Sequence, residues 1–285
     1  MAFPELFNPA GMRKGIDSFV DTIVTDYGDT LGALSDHFER WLSWFEKLLR
    51  TSPWWAVVLV VVLIAWGLTR RLGFSILMGA MLCIIGLLGL WDAGMQTLAL
   101  MLMATFLSVV IGIPVGILMG RLDWVRAVLH PVLDIMQTMP SFVYLIPVVM
   151  LFGLGKTPAL IATIIYAVAP LIRLTDLGIR LVDKEVLEAS RAYGANAWQQ
   201  LFGVQIPLAL PNIMAGINQT TMMALAMVVI ASMIGATGLG QEVLLGINRL
   251  EVGRGLMAGV SIVVLAILFD RITQAYGRRQ RRGAH

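Results

Sequence analysis

Charge is scarce in this chain. Only 14% of its 285 residues are charged, against 58% hydrophobic, and the mean hydropathy is +0.81. A soluble globular domain carries about 25% charged residues, so a water-soluble core wrapped in a polar shell is excluded. Cysteine is scarcer still. Cys83 stands alone inside an apolar run, which rules out an internal disulfide. The three histidines, His37, His130 and His285, lie far apart, and no histidine or cysteine clusters with the 17 methionines. No metal site is therefore expected, and the methionines read as core filler. Residues 1–30 are too polar to hold an apolar run followed by a cleavage site. No signal peptide is expected, and the first membrane segment should act as its own targeting signal. The net charge of +3 is small, and no nucleic-acid partner is expected.

A nucleotide site is also missing, despite one suggestive stretch. Residues 153–158 read GLGKTP, and Gly155-Lys156-Thr157 matches the end of a phosphate-cradling loop. That loop needs a second glycine five places earlier, between a strand and a helix. Here the position is Met150, the stretch before it is an apolar helix pattern, and Pro158 follows at once. The expectation is a glycine-rich turn between two spanning helices, with no cofactor and no ATP hydrolysis by this chain.

What the chain does have is long apolar runs. Seven segments stand out: 54–69, 73–91, 95–119, 140–154, 158–181, 207–235 and 256–275. Most approach the roughly 20 residues that a bilayer requires of a helix, and the fourth is short. Several such runs make an all-α membrane protein, because in lipid only helices and closed barrels satisfy every backbone group. Pro207 and Pro211 near the start of the sixth segment predict a break or kink there. Gly112, Gly116 and Gly120 recur every four residues on the third, a stripe that permits close helix contact.

Residues 1–53 differ. Ile16, Phe19, Val20, Ile23, Val24 and Tyr27 fall at helical spacing, as do Leu31, Leu34, Phe38, Trp41, Phe45, Leu48 and Leu49. The pattern predicts amphipathic helices in the membrane interface, at a depth that suits tryptophan.

Lysine and arginine in short loops predict the orientation. Arg70 and Arg71, then Arg121 and Arg126, then Arg180, Lys184 and Arg191, then Arg278, Arg279, Arg281 and Arg282 all fall on one side, which is therefore inside. Opposite them lie Asp92, Lys156 and the mixed set Glu242, Arg249, Glu251 and Arg254. Residues 1–53, with eight acidic and five basic residues, suit the outside. The N-terminus is expected outside and the C-terminus in the cytoplasm.

The longest inner loop, 183–213, is polar and helical in pattern and then breaks at Gly194. It exposes small and apolar residues, Val186, Leu187, Ala189 and Ala192 before the glycine and Trp198, Leu201 and Phe202 after it. A short helix of this kind suits the groove of a partner. Glu188-Ala189-Ser190, then Gly194, then Val204-x-Ile206-Pro207, resembles the EAA signature of bacterial ABC importer permeases. That signature is Glu-Ala-Ala, three residues, Gly, nine residues, Ile-x-Leu-Pro. Ser190 replaces the second alanine, and Val204 and Ile206 replace isoleucine and leucine. The stretches 134–155, 169–179, 214–244 and 267–275 are similar to the branch importing glycine betaine, proline betaine or choline, as is an N-terminal extension followed by two extra helices.

The resemblance implies a type I ABC importer transmembrane fold of about seven spanning helices. Its divisions would be an extracytoplasmic or interfacial region 1–53, two peripheral scaffold helices in 54–91, a permease core 92–276 with coupling loop 183–206, and a basic tail 277–285. It implies a homodimer in lipid with two cytoplasmic ATPase subunits and an extracytoplasmic substrate-binding protein. It also implies that Glu188, Ala189, Ser190, Arg191, Gly194 and Pro207 couple the permease to the ATPase. The alternatives are a permease for another small solute such as methionine, or an ATPase-independent secondary transporter. The EAA spacing argues against the last, as does the lack of a midplane run of acidic residues.

For a translocation path, Asn218, Gln219, Thr220 and Thr221 sit mid-span in the sixth segment, and Gln137, Thr138 and Tyr144 near the fourth are weaker candidates. Polar side chains at that depth either face a cavity or hydrogen-bond to a neighbouring helix, and the sequence leaves both open. Aromatic faces that could attract a quaternary ammonium are few, Phe142, Tyr144 and Tyr166. High-affinity recognition is therefore expected in the binding protein. Arg173 and Asp176, one turn apart, are expected to pair with each other. Asp270 and Arg271 are expected at the inner interface.

Overall fold

The computed structural model describes residues 9–283, which form helices joined by short turns. The order is α1 (Pro9–Thr51), α2 (Trp54–Thr69), α3 (Leu72–Leu87), α4 (Trp91–Arg121), α5 (Asp123–Thr138), α6 (Ser141–Phe152), α7 (Lys156–Arg180), α8 (Lys184–Ala192), α9 (Ala197–Gln200), α10 (Ile206–Ala231), α11 (Leu239–Asn248) and α12 (Val252–Gly283). Side chains of the basic tail lie outside the described residues. Each of the seven apolar segments falls on a helix.

The core is built on α7, which lies between α4 and α10. The glycine stripe explains the α4 contact. A Cβ on Gly112 would meet Leu171 and Val168, one on Gly116 would sit 2.5 Å from Thr175 Cβ and 2.7 Å from the Ile172 carbonyl, and one on Gly120 would meet Ile179. On the other side, Gly178 of α7 packs on Ala209 and Asn212, and Gly216 of α10 packs on Leu171. Small residues let these backbones touch. In lipid that contact is the main source of cohesion, because no hydrophobic force drives one apolar helix onto another.

The matched numbering, 112 with 168–171, 116 with 172–175 and 120 with 179, means that α4 and α7 run parallel. The chain must therefore cross back between them, and α5 and α6 make that crossing. They form a broken pair bent by 104° at Met139-Pro140. Proline without an N–H, and the extended conformation it imposes on the residue before it, account for the break. α6 has only 12 residues, so neither half spans alone. By length and composition four helical stretches can cross a bilayer alone, and six if each bent pair is one crossing. α3, with 16 residues, rises about 24 Å. Yet the start of α4 pairs with the end of α1, so the α2–α3 hairpin must descend and return.

The sixth segment does not break; its irregularity is a π turn just ahead of Pro207 rather than a kink at Pro211. Residues Leu201–Gln205 form a π turn in which the Ile206 N–H bonds to the Leu201 carbonyl, and α10 then runs through Pro211 unbroken. The helix α11, in the loop that the sequence showed only as mixed charge, was not anticipated. Its start is pinned by the Leu239 N–H on Thr97 Oγ1 at 2.8 Å. Its Glu242 pairs with Arg254 of α12 at 2.6 Å, and Arg254 also meets Glu251 in the connecting turn at 3.4 Å.

α1 is one long helix bent by 102° from α2. Its second half lies across the ends of α4, α6 and α7, with Leu42 buried and Phe38, Phe45 and Leu49 packed on the core. Trp41 and Trp44 remain exposed. The GLGKTP stretch is a structural turn used by this strap. Gly153 and Gly155 take positive φ, Lys156 Nζ meets the buried Glu46 Oε2 at 2.6 Å, and Thr157 Oγ1 donates to the Ser35 carbonyl. Lys156→Met leaves Glu46 with only Arg50 at 3.5 Å. The expected cost is about 1–3 kcal/mol, local to the strap. Limited trypsinolysis at Arg40 and Lys47 should become several-fold faster, with the bundle otherwise intact.

Candidate functional site

At the opposite end of the bundle from Lys156 lies a compact, exposed pair of short helices. α8 has nine residues, too few to be stable alone. Its ends are therefore fastened. The Asp183 side chain caps the start by accepting from the Glu185 N–H at 2.9 Å. At the other end Gly194 takes φ +84, the Ala195 N–H reaches the Ser190 carbonyl and the Gly194 N–H reaches the Arg191 carbonyl. This paired bonding closes a helix on a left-handed residue, a conformation that glycine adopts without strain. Asn196 then opens α9 with a capping box, taking the Trp198 and Gln199 N–H groups while the Gln199 side chain bonds back to the Asn196 N–H.

One residue joins the two helices, and the sequence reading missed it. Gln200 is buried, and its Nε2 donates to the Leu187 carbonyl at 2.9 Å and to Ser190 Oγ at 3.0 Å. Ser190, the departure from the second alanine of the signature, thereby holds α9 to α8. A buried glutamine leaves no periodic mark, so only the fold reveals it. Gln200→Leu removes both bonds at a cost of about 1–3 kcal/mol. Faster amide exchange across residues 184–192 is the expected result.

The rest of the unit faces outward. Lys184, Val186, Glu188, Ala189, Arg191, Tyr193, Trp198 and Phe202 are exposed, and Trp198 stacks on Phe202 with ring centroids 5.8 Å apart. Lys184, Glu188 and Arg191 form no ion pair with any described residue. Leu201 anchors the unit by packing with Leu171, Ile179, Ala209 and Ile213. Arg121 Nη2 donates to the Ala197 carbonyl at 3.3 Å. Pro207 is exposed in the first turn of α10, just beyond the π turn.

The polar residues of the sixth segment are largely used inside the bundle. Thr220 is fully buried and donates to the Ala167 carbonyl of α7 at 2.8 Å, and Thr221 donates to the Ile217 carbonyl of its own helix. Asn218 donates to Asp270 Oδ1 at 3.2 Å and accepts from Thr273. Asp270 is thus part of a network between α10 and α12 rather than a bare interfacial charge, and Gln274 holds its carboxylate from the next turn. Of these four candidates Gln219 alone is exposed.

Near the fourth segment, Gln137 and Thr138 are exposed on α5. Tyr144 is not. It is buried, donates to the Met136 carbonyl across the helix break, and lies edge-on to Tyr166 at 5.7 Å. The structure therefore brings Gln137 and Thr138 together and places Tyr144 in the core.

Arg173 and Asp176 do not pair with each other. Arg173 pairs with Asp134 of α5, while Asp176 takes Arg126 of α5 at 3.3 Å and Arg180 at 2.9 Å. A spacing of four within α7 and the approach of a second helix outcompete the spacing of three.

Comparison with known proteins agrees with this geometry. Residues 112–282 match the family described as binding-protein-dependent transport system inner membrane component. The chain is 47% identical over 262 residues to the glycine betaine/proline betaine transport system permease protein ProW of Escherichia coli, covering 92% of this chain and 74% of that protein. It is 42% identical over 260 residues to the glycine betaine transport system permease protein OpuAB of Bacillus subtilis, covering 91% and 92%. It is 41% identical over 276 residues to the glycine betaine/carnitine transport permease protein GbuB of Listeria monocytogenes, covering 94% and 96%. Among solved structures, the inward-facing MetNI methionine ABC transporter is similar in fold, with a TM-score of 0.57 at 24% identity over 69% of this chain and 96% of that one.

Proposed function

The chain belongs to the binding-protein-dependent transport system inner membrane component family, and on that premise we propose that it is the permease subunit of an ATP-driven importer of glycine betaine and related quaternary ammonium compounds. The observation that carries the reading is the exposed, doubly capped α8, fastened by Gln200 and bearing unpaired charges. It is an exposed plug held by α9, and Glu188, Ala189, Ser190 and Arg191 on it and Gly194 just after it follow the order of the EAA signature. The named substrates of three relatives above 40% identity support the substrate class. The methionine transporter is similar in fold only, at 24% identity.

In this reading the chain itself performs no catalysis. Two copies form the pore in the bacterial inner membrane, with residues 183–206 inside and α1 outside. Cytoplasmic ATPase subunits grip α8, and an extracytoplasmic binding protein delivers substrate at the Lys156 end. ATP binding closes the ATPase pair and draws the two α8 helices together, and the bundle opens outward. A ligand can bias such a two-state element only through unequal affinity for its two states. Tyr144 is buried edge-on to Tyr166, which supports placing tight recognition in the binding protein and a transient passage, lined by Gln137, Thr138 and Gln219, in the permease.

The test is reconstitution of the permease with its ATPase and binding protein in lipid vesicles. ATP-dependent accumulation of labelled glycine betaine is expected. Accumulation of methionine instead, or solute movement by the permease alone, would overturn the proposal.

A further inference from the structure

α5 is apolar on its outer side as well as its inner one, where Leu133 is buried and Val125, Leu129 and Met136 pack beside it. Trp124, Val128, Val132 and Ile135 form an exposed apolar stripe. The charged face, Asp123, Arg126, His130 and Asp134, is turned toward α7. These four positions lie within one narrow arc of the helix, at spacings of three, four and four. On α7 the matching arc holds Arg180, Asp176 and Arg173, spaced by four and three. Paired in antiparallel order the charges alternate in sign: Asp123 Oδ1 with Arg180 Nη2 at 2.7 Å, Arg126 Nε with Asp176 Oδ2 at 3.3 Å, and Asp134 with Arg173, which His130 Nδ1 supports from the far side of the carboxylate at 3.1 Å. Between the rungs the buried Leu133 packs with Met119, Val168, Ala169 and Ile172.

The Asp123–Arg180 end of this zipper is next to the partner-facing unit. Arg180 Nη2 also donates to the Met119 carbonyl at the end of α4, and its Nε bonds to Asp176. Only Leu181, Val182 and Asp183 separate Arg180 from α8, and Val182 is buried. A push on α8 therefore reaches Arg180 with little slack and passes through its ion pairs into α5.

We propose that the ion pairs Asp123–Arg180, Arg126–Asp176 and Asp134–Arg173 lock α5 to α7 as one moving body, so that displacement of α8 carries the first half of the broken α5–α6 crossing with it. This rests on the proposed ATPase contact at α8. The six residues are positioning residues. They act on the pathway by moving α5, which carries Gln137 and Thr138, and not by touching solute.

The test uses the complete permease–ATPase–binding-protein complex in vesicles and reads solute moved per ATP hydrolysed, a ratio that a merely destabilised permease would not change. Wild-type transport checks the proposed function separately. Failure there strikes that reading, while the variants address the zipper. Asp134→Arg and Arg173→Asp alone should each keep ATP hydrolysis while lowering the ratio about tenfold, the size of a typical coupling effect. The double exchange should restore most of it, because the rung is rebuilt with reversed sign. Where a single exchange fails to assemble, a covalent rung decides. In a Cys83→Ser background, Asp134→Cys with Arg173→Cys should transport poorly when open and recover when joined by a short bis-maleimide. Ratios unchanged in both single exchanges, a double exchange no better than its parents, or a cross-link that stops transport would each overturn the inference.

Discussion

Gly116→Leu is expected to abolish the folded permease. A Cβ at that position lies 2.5 Å from Thr175 Cβ and 2.7 Å from the Ile172 carbonyl oxygen, and the latter is backbone that no rotamer change can move. α4 and α7 would have to separate, and the contacts at Gly112 and Gly120 would open with them. Overpacking of a tight core costs about 1–3 kcal/mol and more where backbone must shift. Here the loss runs along the whole interface, and there is no hydrophobic force between helices to offset it. Against a total stability of about 5–15 kcal/mol, little native protein should survive. Size-exclusion profiles and melting in detergent give the readout. Gly73→Leu, at a glycine with nothing within 4 Å, is the matched control and should behave as wild type. A Gly116→Leu protein that melts with the wild type would show that the α4–α7 contact does not hold the bundle.

Gly194→Val should give the opposite signature: a stable, inserted protein that does not transport. Nothing lies within 4 Å of a Cβ at Gly194, so space is not the obstacle. The obstacle is φ +84. A left-handed conformation costs an ordinary residue about 1–2 kcal/mol, and a β-branched one resists it further. The chain relieves the strain by unwinding the last turn of α8, and the bonds to Ser190 and Arg191 are lost. The plug then loses its shape without any change in the membrane helices. Transport by the reconstituted complex should fall by about tenfold or more, within the usual range of a lost coupling contact, and co-purification of the ATPase should weaken. Gly194→Asn tests the cause, because asparagine tolerates the left-handed region. It should retain much of the activity. An asparagine variant as inactive as the valine one would mean that the glycine matters for close approach of the ATPase and not for its backbone conformation.

The two glycines show why parts of this protein could be read in advance and others could not. Gly116 was legible as one of three glycines four residues apart, a repeat that has few uses other than close packing. Gly194 was legible from its place in the EAA spacing. The partners of charged residues were not. Arg173 and Asp176 stand at a spacing that permits a pair, yet each reaches across to α5 or along to Arg180 instead. A helix is a one-dimensional object to the sequence, and the choice between a neighbour three residues away and one on another helix depends on a distance that exists only after packing. Gln200 and Tyr144 obey the same rule. In the sequence Gln200 is one polar residue among several, whereas in the fold it is the tie between α8 and α9. Tyr144 stands in the sequence as an aromatic available to solute, and the packing of α6 encloses it in the core.

The order of amino acids settled what the chain had to be: helices in a membrane, because so apolar a polypeptide has no other way to satisfy its backbone. It also marked the loop 183–206 proposed to meet the ATPase, because the signature there is local and spans only twenty residues. Tertiary structure decided the rest. It made α4 and α7 parallel and so turned a short fourth segment into half of a broken crossing, and it laid α1 across the ends of other helices. It also matched three charges on α5 to three on α7, because complementarity between two helices depends on their relative rotation and register, which packing alone sets.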